Sequence, residues 1–284
     1  MGGEGDGDIP TRGYLYEASE YHTLPDMPNR RIGAAAVVVC SDETWLYVIG
    51  GSCESAARAT QTVDMFNMTR PQWTKGIAQL KRDTMYHAAV VHNGNIVITG
   101  GVGTAWSDTT NECQCLNVST HTVTYMPSMN LKRARHACVV YRDEVIVLGG
   151  MQYHRVQPMP GVPVFETCQG VITRCERFLP DRRAWVPFPD HPVYLSGYLS
   201  ADVACDKIFT ICIELSTFSM FDGAAWCDLI SIPTTGGIIV QLDGDIVFLH
   251  RRGGRMQILD PVLLVWSEGP FLPSIPNLSA VVSF

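Results

Sequence analysis

Three features of this 284-residue chain predict an all-β fold assembled from repeated four-stranded sheets. Double glycines recur at a near-constant interval, two outer-strand landmarks keep a fixed seven-residue step, and no segment shows helical periodicity over ten residues. The glycine pairs are Gly2-Gly3, Gly50-Gly51, Gly100-Gly101 and Gly149-Gly150, the last three 50 and 49 positions apart. The step runs from Phe66 to Trp73, Leu116 to Val123, Phe178 to Trp185 and Leu259 to Trp266. A unit of about 40 to 50 residues that makes one small sheet cannot bury both faces alone, so such units pack sheet on sheet around an axis as a propeller.

Each unit reads as an inner hairpin, a glycine pair and an outer hairpin. The stretch "HAAVVHNGNIVITGG" (87–101) is two short apolar strands around an Asn-Gly turn, and "HACVVYRDEVIVLGG" (136–150) repeats it, with thirteen residues from histidine to first glycine in both. "SADVACDKIFTICI" (200–213) and "GIIVQLDGDIVFLH" (237–250) keep that spacing with the glycines lost, and "IGAAAVVVCSDETWLYVIGG" (32–51) carries a longer hairpin loop. Outer hairpins follow in "VDMFNMTRPQW", "CQCLNVSTHTV", "CERFLPDRRAW" and "MQILDPVLLVW", and in "FSMFDGAAW" with a shortened turn. The units span 1–30, 31–81, 82–132, 133–193, 194–233 and 234–276, with "NLSAVVSF" (277–284) as an inner strand that joins the first. The expectation is six four-stranded antiparallel blades. The sixth is closed by both termini, takes "GYLYEASEYHTLPDMP" (13–28) as its outer pair, and is incomplete because most of its second strand is missing.

The structural roles follow from position in the repeat. Gly50, Gly51, Gly100, Gly101, Gly149 and Gly150 permit positive φ and remove Cβ where the chain turns against its neighbours. Trp73, Trp185, Trp226 and Trp266 are expected to fill space between blades. His87 and His136 share one repeat position, which argues for packing or a backbone hydrogen bond. Asp64, Glu176, Asp222 and Asp260 are expected at turns or on solvated faces. Between Gly150 and Phe178 lie 13 more residues than in the units before, a Pro-rich insertion of the kind that carries function or is merely tolerated.

Charge and cysteine usage narrow the classes. A net charge of −7 and a pI near 5.6 argue against nucleic acid and anionic lipid as partners, since both need a basic footprint. No apolar run approaches the roughly 20 residues of a membrane span. The start "MGGEGDGDIP" has no basic or apolar signal region, and Asp6 stands where a myristoylation signal wants Ser or Thr. Ten cysteines scattered through apolar strands fit reduced thiols and a cytoplasmic setting. Cys113-x-Cys115 lacks the second ligand pair that a zinc site needs, so no metal or other cofactor is expected.

The double glycine, the spaced tryptophan and the "R-x-x-H-A-x-V-V" opening, taken together over nearly the whole chain, resemble the kelch-repeat β-propellers of the kelch-like family. The resemblance implies a noncatalytic module that holds a peptide or loop of another protein on the propeller rim. In such adaptors an arginine just before the first strand faces the peptide. Arg31 of "NRRIG" matches that pattern directly and Arg135 of "RARHA" by position, with Tyr86 in the unit between. Ser52, Val102 and Met151 after the glycine pairs, and Arg251 and Arg252 where the glycines are lost, form the other half of the expected rim. Two converging arginines would favour an acidic peptide through bidentate carboxylate pairing. Solvated loop charge is the competing reading. The narrower implication is substrate recognition for a cullin-type ubiquitin ligase, although the BTB and BACK domains usual in such receptors are not in this sequence. Actin binding is a second family possibility, and related propellers with oxidase or sugar-epimerase activity leave an enzyme as the alternative.

Overall fold

The computed structural model describes residues 14–17, 20–29, 31–52, 58–104, 109–154, 167–192, 199–212, 217–229, 237–250 and 254–272. A two-stranded hairpin, β1 (Tyr14–Glu17) and β2 (Glu20–Thr23), comes first. Five four-stranded antiparallel blades follow. The first holds β3 (Ala35–Cys40), β4 (Thr44–Ile49), β5 (Thr60–Asn67) and β6 (Gln72–Thr84). The second holds β7 (Ala88–His92), β8 (Asn95–Thr99), β9 (Cys113–Asn117) and β10 (Val123–Met126). In the third, β11 (Ala137–Tyr141) and β12 (Glu144–Leu148) are separated from the outer pair by a ribbon, β13 (Met151–His154) with β14 (Thr167–Val171), before β15 (Cys175–Leu179) and β16 (Ala184–Phe188). The fourth is β17 (Leu199–Ala204), β18 (Lys207–Cys212), β19 (Thr217–Phe221) and β20 (Trp226–Leu229). The fifth is β21 (Gly237–Leu242), β22 (Asp245–His250), β23 (Gly254–Asp260) and β24 (Val265–Leu272).

The innermost strands β3, β7, β11, β17 and β21 neighbour one another in that order, as an all-β propeller requires. Of the expected sixth blade, the hairpin β1–β2 falls within the proposed outer pair, while residues 1–3 and 277–284 lie outside the described residues.

Strand alternation explains how one sheet serves two neighbours. Along β12, Ile146 and Leu148 join a cluster with Ile208 and Phe221 of the fourth blade. Val145 and Val147 join Val97 and Cys113 of the second. Burial on both faces is why these strands read as short unbroken apolar runs. Four inner hairpins turn at two residues that both have positive φ: Asn93-Gly94, Arg142-Asp143, Cys205-Asp206 and Asp243-Gly244. Such turns match the right-handed twist of the flanking strands.

Glycine pairs tie each blade to the next. The amides of Gly51 and Gly101 donate to the carbonyls of Thr84 and Arg133, each at 2.8 Å, on the strand leader of the following blade. A Cβ on Gly101, at φ +101°, would strike Thr84 Oγ1 and lie 2.8 Å from Met85 O. The tryptophans anchor incoming connectors as well as packing. Trp73, Trp185 and Trp226 donate their indole N–H to the carbonyls of Pro25, Pro127 and Pro189 at 2.8–2.9 Å. Trp266 packs across the blade boundary on Phe218, with centroids 5.4 Å apart.

Candidate interaction face at the strand leaders

The residues that lead into the inner strands are aligned by backbone pairing. Ile32 exchanges hydrogen bonds with Ser52, Met85 with Val102 and Ala134 with Met151, all at 2.8–2.9 Å. Arg31, Thr84 and Arg133 are therefore equivalent, and Gly33, Tyr86 and Arg135 form the next set but one. This corrects the expected pairing of Arg31 with Arg135 by two positions.

Arg31 is a structural cation and not a rim residue. It is 4% exposed and donates to Gly50 O at 2.7 Å, Thr62 O at 2.8 Å, Thr62 Oγ1 at 2.8 Å and Asp64 Oδ2 at 2.6 Å. Arg133, 0% exposed, repeats the arrangement with Gly149 O at 2.6 Å, Arg174 O at 2.9 Å and Glu176 Oε1 at 2.7 Å. In the second blade the same two places hold Thr84 and Gln114, so cation and anion are replaced together by neutral groups. The third-strand side chain also receives the connector that leads to its blade: Lys81 N donates to Gln114 Oε1 at 2.7 Å and Asn130 N to Glu176 Oε2 at 2.7 Å. Asp64 and Glu176 are thus buried partners, against the expectation of solvated faces. Asp222 and Asp260 do serve turns, each accepting two backbone N–H groups at 2.8–2.9 Å.

Ser52, Tyr86, Val102 and Met151 are also corrected. Their side chains are buried, and all but Ser52 sit in a cluster with Met85, Ala134 and Tyr153. Arg251 and Arg252 lie outside the described residues. Arg135 is half-buried with φ 55°, and its guanidinium carbon lies 4.8 Å from the centroid of the Tyr86 ring and 5.4 Å from that of Tyr153. Gly33 leaves room for Tyr86, since a Cβ there would come within 2.8 Å of the ring. Sequence reading missed Tyr153. It stands two residues beyond Met151 at the base of the insertion, and period-two alternation places both on one face.

Backbone links run between the leaders. Tyr86 N donates to Gly33 O at 2.7 Å, Arg135 N to Tyr86 O at 2.8 Å and Leu199 N to Arg135 O at 3.3 Å. The histidines behind them are neutral packing groups. Burial, reinforced by the charge of Arg31 and partly offset by the nearby polar backbone of Ile49, brings the His87 pKa down to about 4. Burial with repulsion from Arg133 and His87 holds His136 well below the usual imidazole range, and its Nε2 lies 2.8 Å from Thr99 Oγ1. Among the described residues, no three His, Cys, Asp or Glu side chains gather into a group that could hold a metal ion.

Comparison with known proteins agrees with this architecture. Residues 84–130 match the family model of the Kelch motif. The chain is similar to "Kelch-like protein terF" of Aspergillus terreus, 27% identical over 139 residues, which is 48% of this chain. It spans about 30% of the length of that curated relative. The solved structure of YjhT superposes with a TM-score of 0.67 at 14% identity, covering 93% of this chain and 92% of that one, a likeness of fold.

Proposed function

We propose that this Kelch-motif propeller is a noncatalytic interaction module that binds an acidic peptide or loop of a partner protein beside Arg135. One observation carries the reading: a half-buried guanidinium lies close to two tyrosine rings at the end where strand leaders from successive blades meet. Contact with the rings fixes the plane of the guanidinium, and a fixed planar fork suits bidentate pairing with a carboxylate. The setting proposed is the cytoplasm. In support, the eight described cysteine side chains are free thiols, and burial raises the Cys175 thiol to about 11, away from reactivity. Substrate recognition for a cullin-type ubiquitin ligase is the narrower form of the proposal.

The test uses Arg135→Asn, because asparagine accepts positive φ and leaves the backbone unstrained. Binding of an immobilised Asp/Glu-rich peptide library should fall by about 10- to 100-fold, the loss of a charge-assisted hydrogen-bond pair. Equal binding by both chains rejects the site. Recovery of a cullin with the natural chain but not with the variant supports the ligase form, and its absence from both rejects that form.

A further inference from the structure

The tip of the outer hairpin in the fifth blade departs from its counterparts. The other tips carry no run of large apolar residues, "NMTRPQ" at 67–72, "NVSTHT" at 117–122, "LPDRRA" at 179–184 and "DGAA" at 222–225, whereas 260–265 reads "DPVLLV". Val262, Leu263, Leu264 and Val265 are 67%, 71%, 37% and 60% exposed, four consecutive apolar side chains held in water. The fold does not require them. The turn is made by Asp260, whose Oδ1 accepts from Val262 N and Leu263 N and whose carbonyl accepts from Leu264 N, all at 2.8 Å. Leu264 has φ 56°, the position filled by His121 and Arg183 in the second and third blades, and a leucine gains nothing from that conformation. Scattered apolar residues on a surface are ordinary, but a contiguous projecting run marks a contact.

Charge around the tip selects the partner. Ile246 pairs with Leu259, so Asp245 and Asp260 flank that pair at the same end of the blade, where Asp243 lies in the turn of the inner hairpin. Lys207 of the fourth blade is engaged there, donating to Pro261 O at 2.8 Å. An apolar knob beside three carboxylates on a chain of net charge −7 is repelled by anionic lipid and by a second copy of itself. From this we infer that residues 262–265 are the anchor of a second docking surface, independent of Arg135, whose partner is a polypeptide presenting an apolar groove or helix face bordered by Lys and Arg.

The probe is a fluorescent amphipathic Leu/Lys helical peptide titrated into the full chain and followed by anisotropy. The natural chain should bind it with a salt-dependent affinity. Val262→Ser with Leu263→Ser should weaken binding by at least about tenfold, the loss expected for two anchors left in water. Asp243→Asn with Asp245→Asn should weaken it and flatten the salt dependence, and Arg135→Asn should leave it unchanged. No binding, or binding indifferent to the apolar double variant, overturns the inference. So does sedimentation as a dimer, or flotation with phosphatidylserine vesicles, that disappears in that variant.

Discussion

Arg31 and Arg133 show how one buried cation per blade can hold three pieces of chain, the glycine-pair carbonyl, the third strand and the connector, at one point. Removing one partner strands the other charge in the interior, so Arg31→Met or Asp64→Asn should each lower unfolding free energy by about 3–5 kcal/mol in urea titrations. Installing the pair found in the second blade, Arg31→Thr with Asp64→Gln, should lose less than the sum of the single changes, because no charge is left unpaired. The histidines set a pH dependence of definite sign. With His87 folded at about 4 against an unfolded value near 6.5, the unfolded chain binds more protons between those limits. Stability contributed by neutral His87 is whole above the unfolded value and is lost as pH falls, by about 1.4 kcal/mol per unit at the steepest. Melting temperature should therefore drop between pH 7 and pH 4, and His87→Gln should reduce that drop. A slope unchanged in the variant would place the titration elsewhere.

At the scale of the element, the glycine pairs and the seven-residue step were readable because close approach and cross-strand pairing constrain residue type directly. Phe66 and Trp73, for example, are registered opposite each other and touch, with ring centroids 4.9 Å apart. The equivalence of Arg31 and Arg133 was not readable. The first inner hairpin is three residues longer, one in each strand and one in the turn, so Arg31 lies 19 positions before its first glycine and Arg133 lies 16 before its own. Only the ladder between leader and post-glycine residue reveals the alignment, and hydrogen bonding leaves no mark on residue type. The same ladder explains why Ser52, Val102 and Met151 are buried where a rim was expected. Two alanine substitutions separate the causes of glycine use. Gly94 has φ +69° with open space around its missing Cβ, so Gly94→Ala should cost only the left-handed penalty of about 1–2 kcal/mol. Gly101→Ala adds collisions with Thr84 and Met85 in the leader of its own blade and should cost a further 1–3 kcal/mol or so.

For the whole molecule, protection should be graded from within outward. The strands β8, β12, β18 and β22 are paired on both edges and buried along most of their length, whereas β10 and β20 are outermost, short and paired on one edge. Native-state hydrogen exchange should find the slowest amides in β12 and β18 and the fastest strand amides in β10 and β20. Uniform exchange across a blade would contradict that grading. The links from Gly33 through Tyr86 and Arg135 to Leu199 add something different. Each amide points back to the carbonyl of the preceding blade, so the peptide dipoles at this end run head to tail along the circumference and not along the axis. A helix terminus projects its backbone field outward at a ligand, whereas tangential dipoles turn with the blades and their vectors tend to cancel over the arc. Side chains then carry more of the potential met by an approaching partner, and a substitution at position 135 can alter it without removing the backbone links beneath.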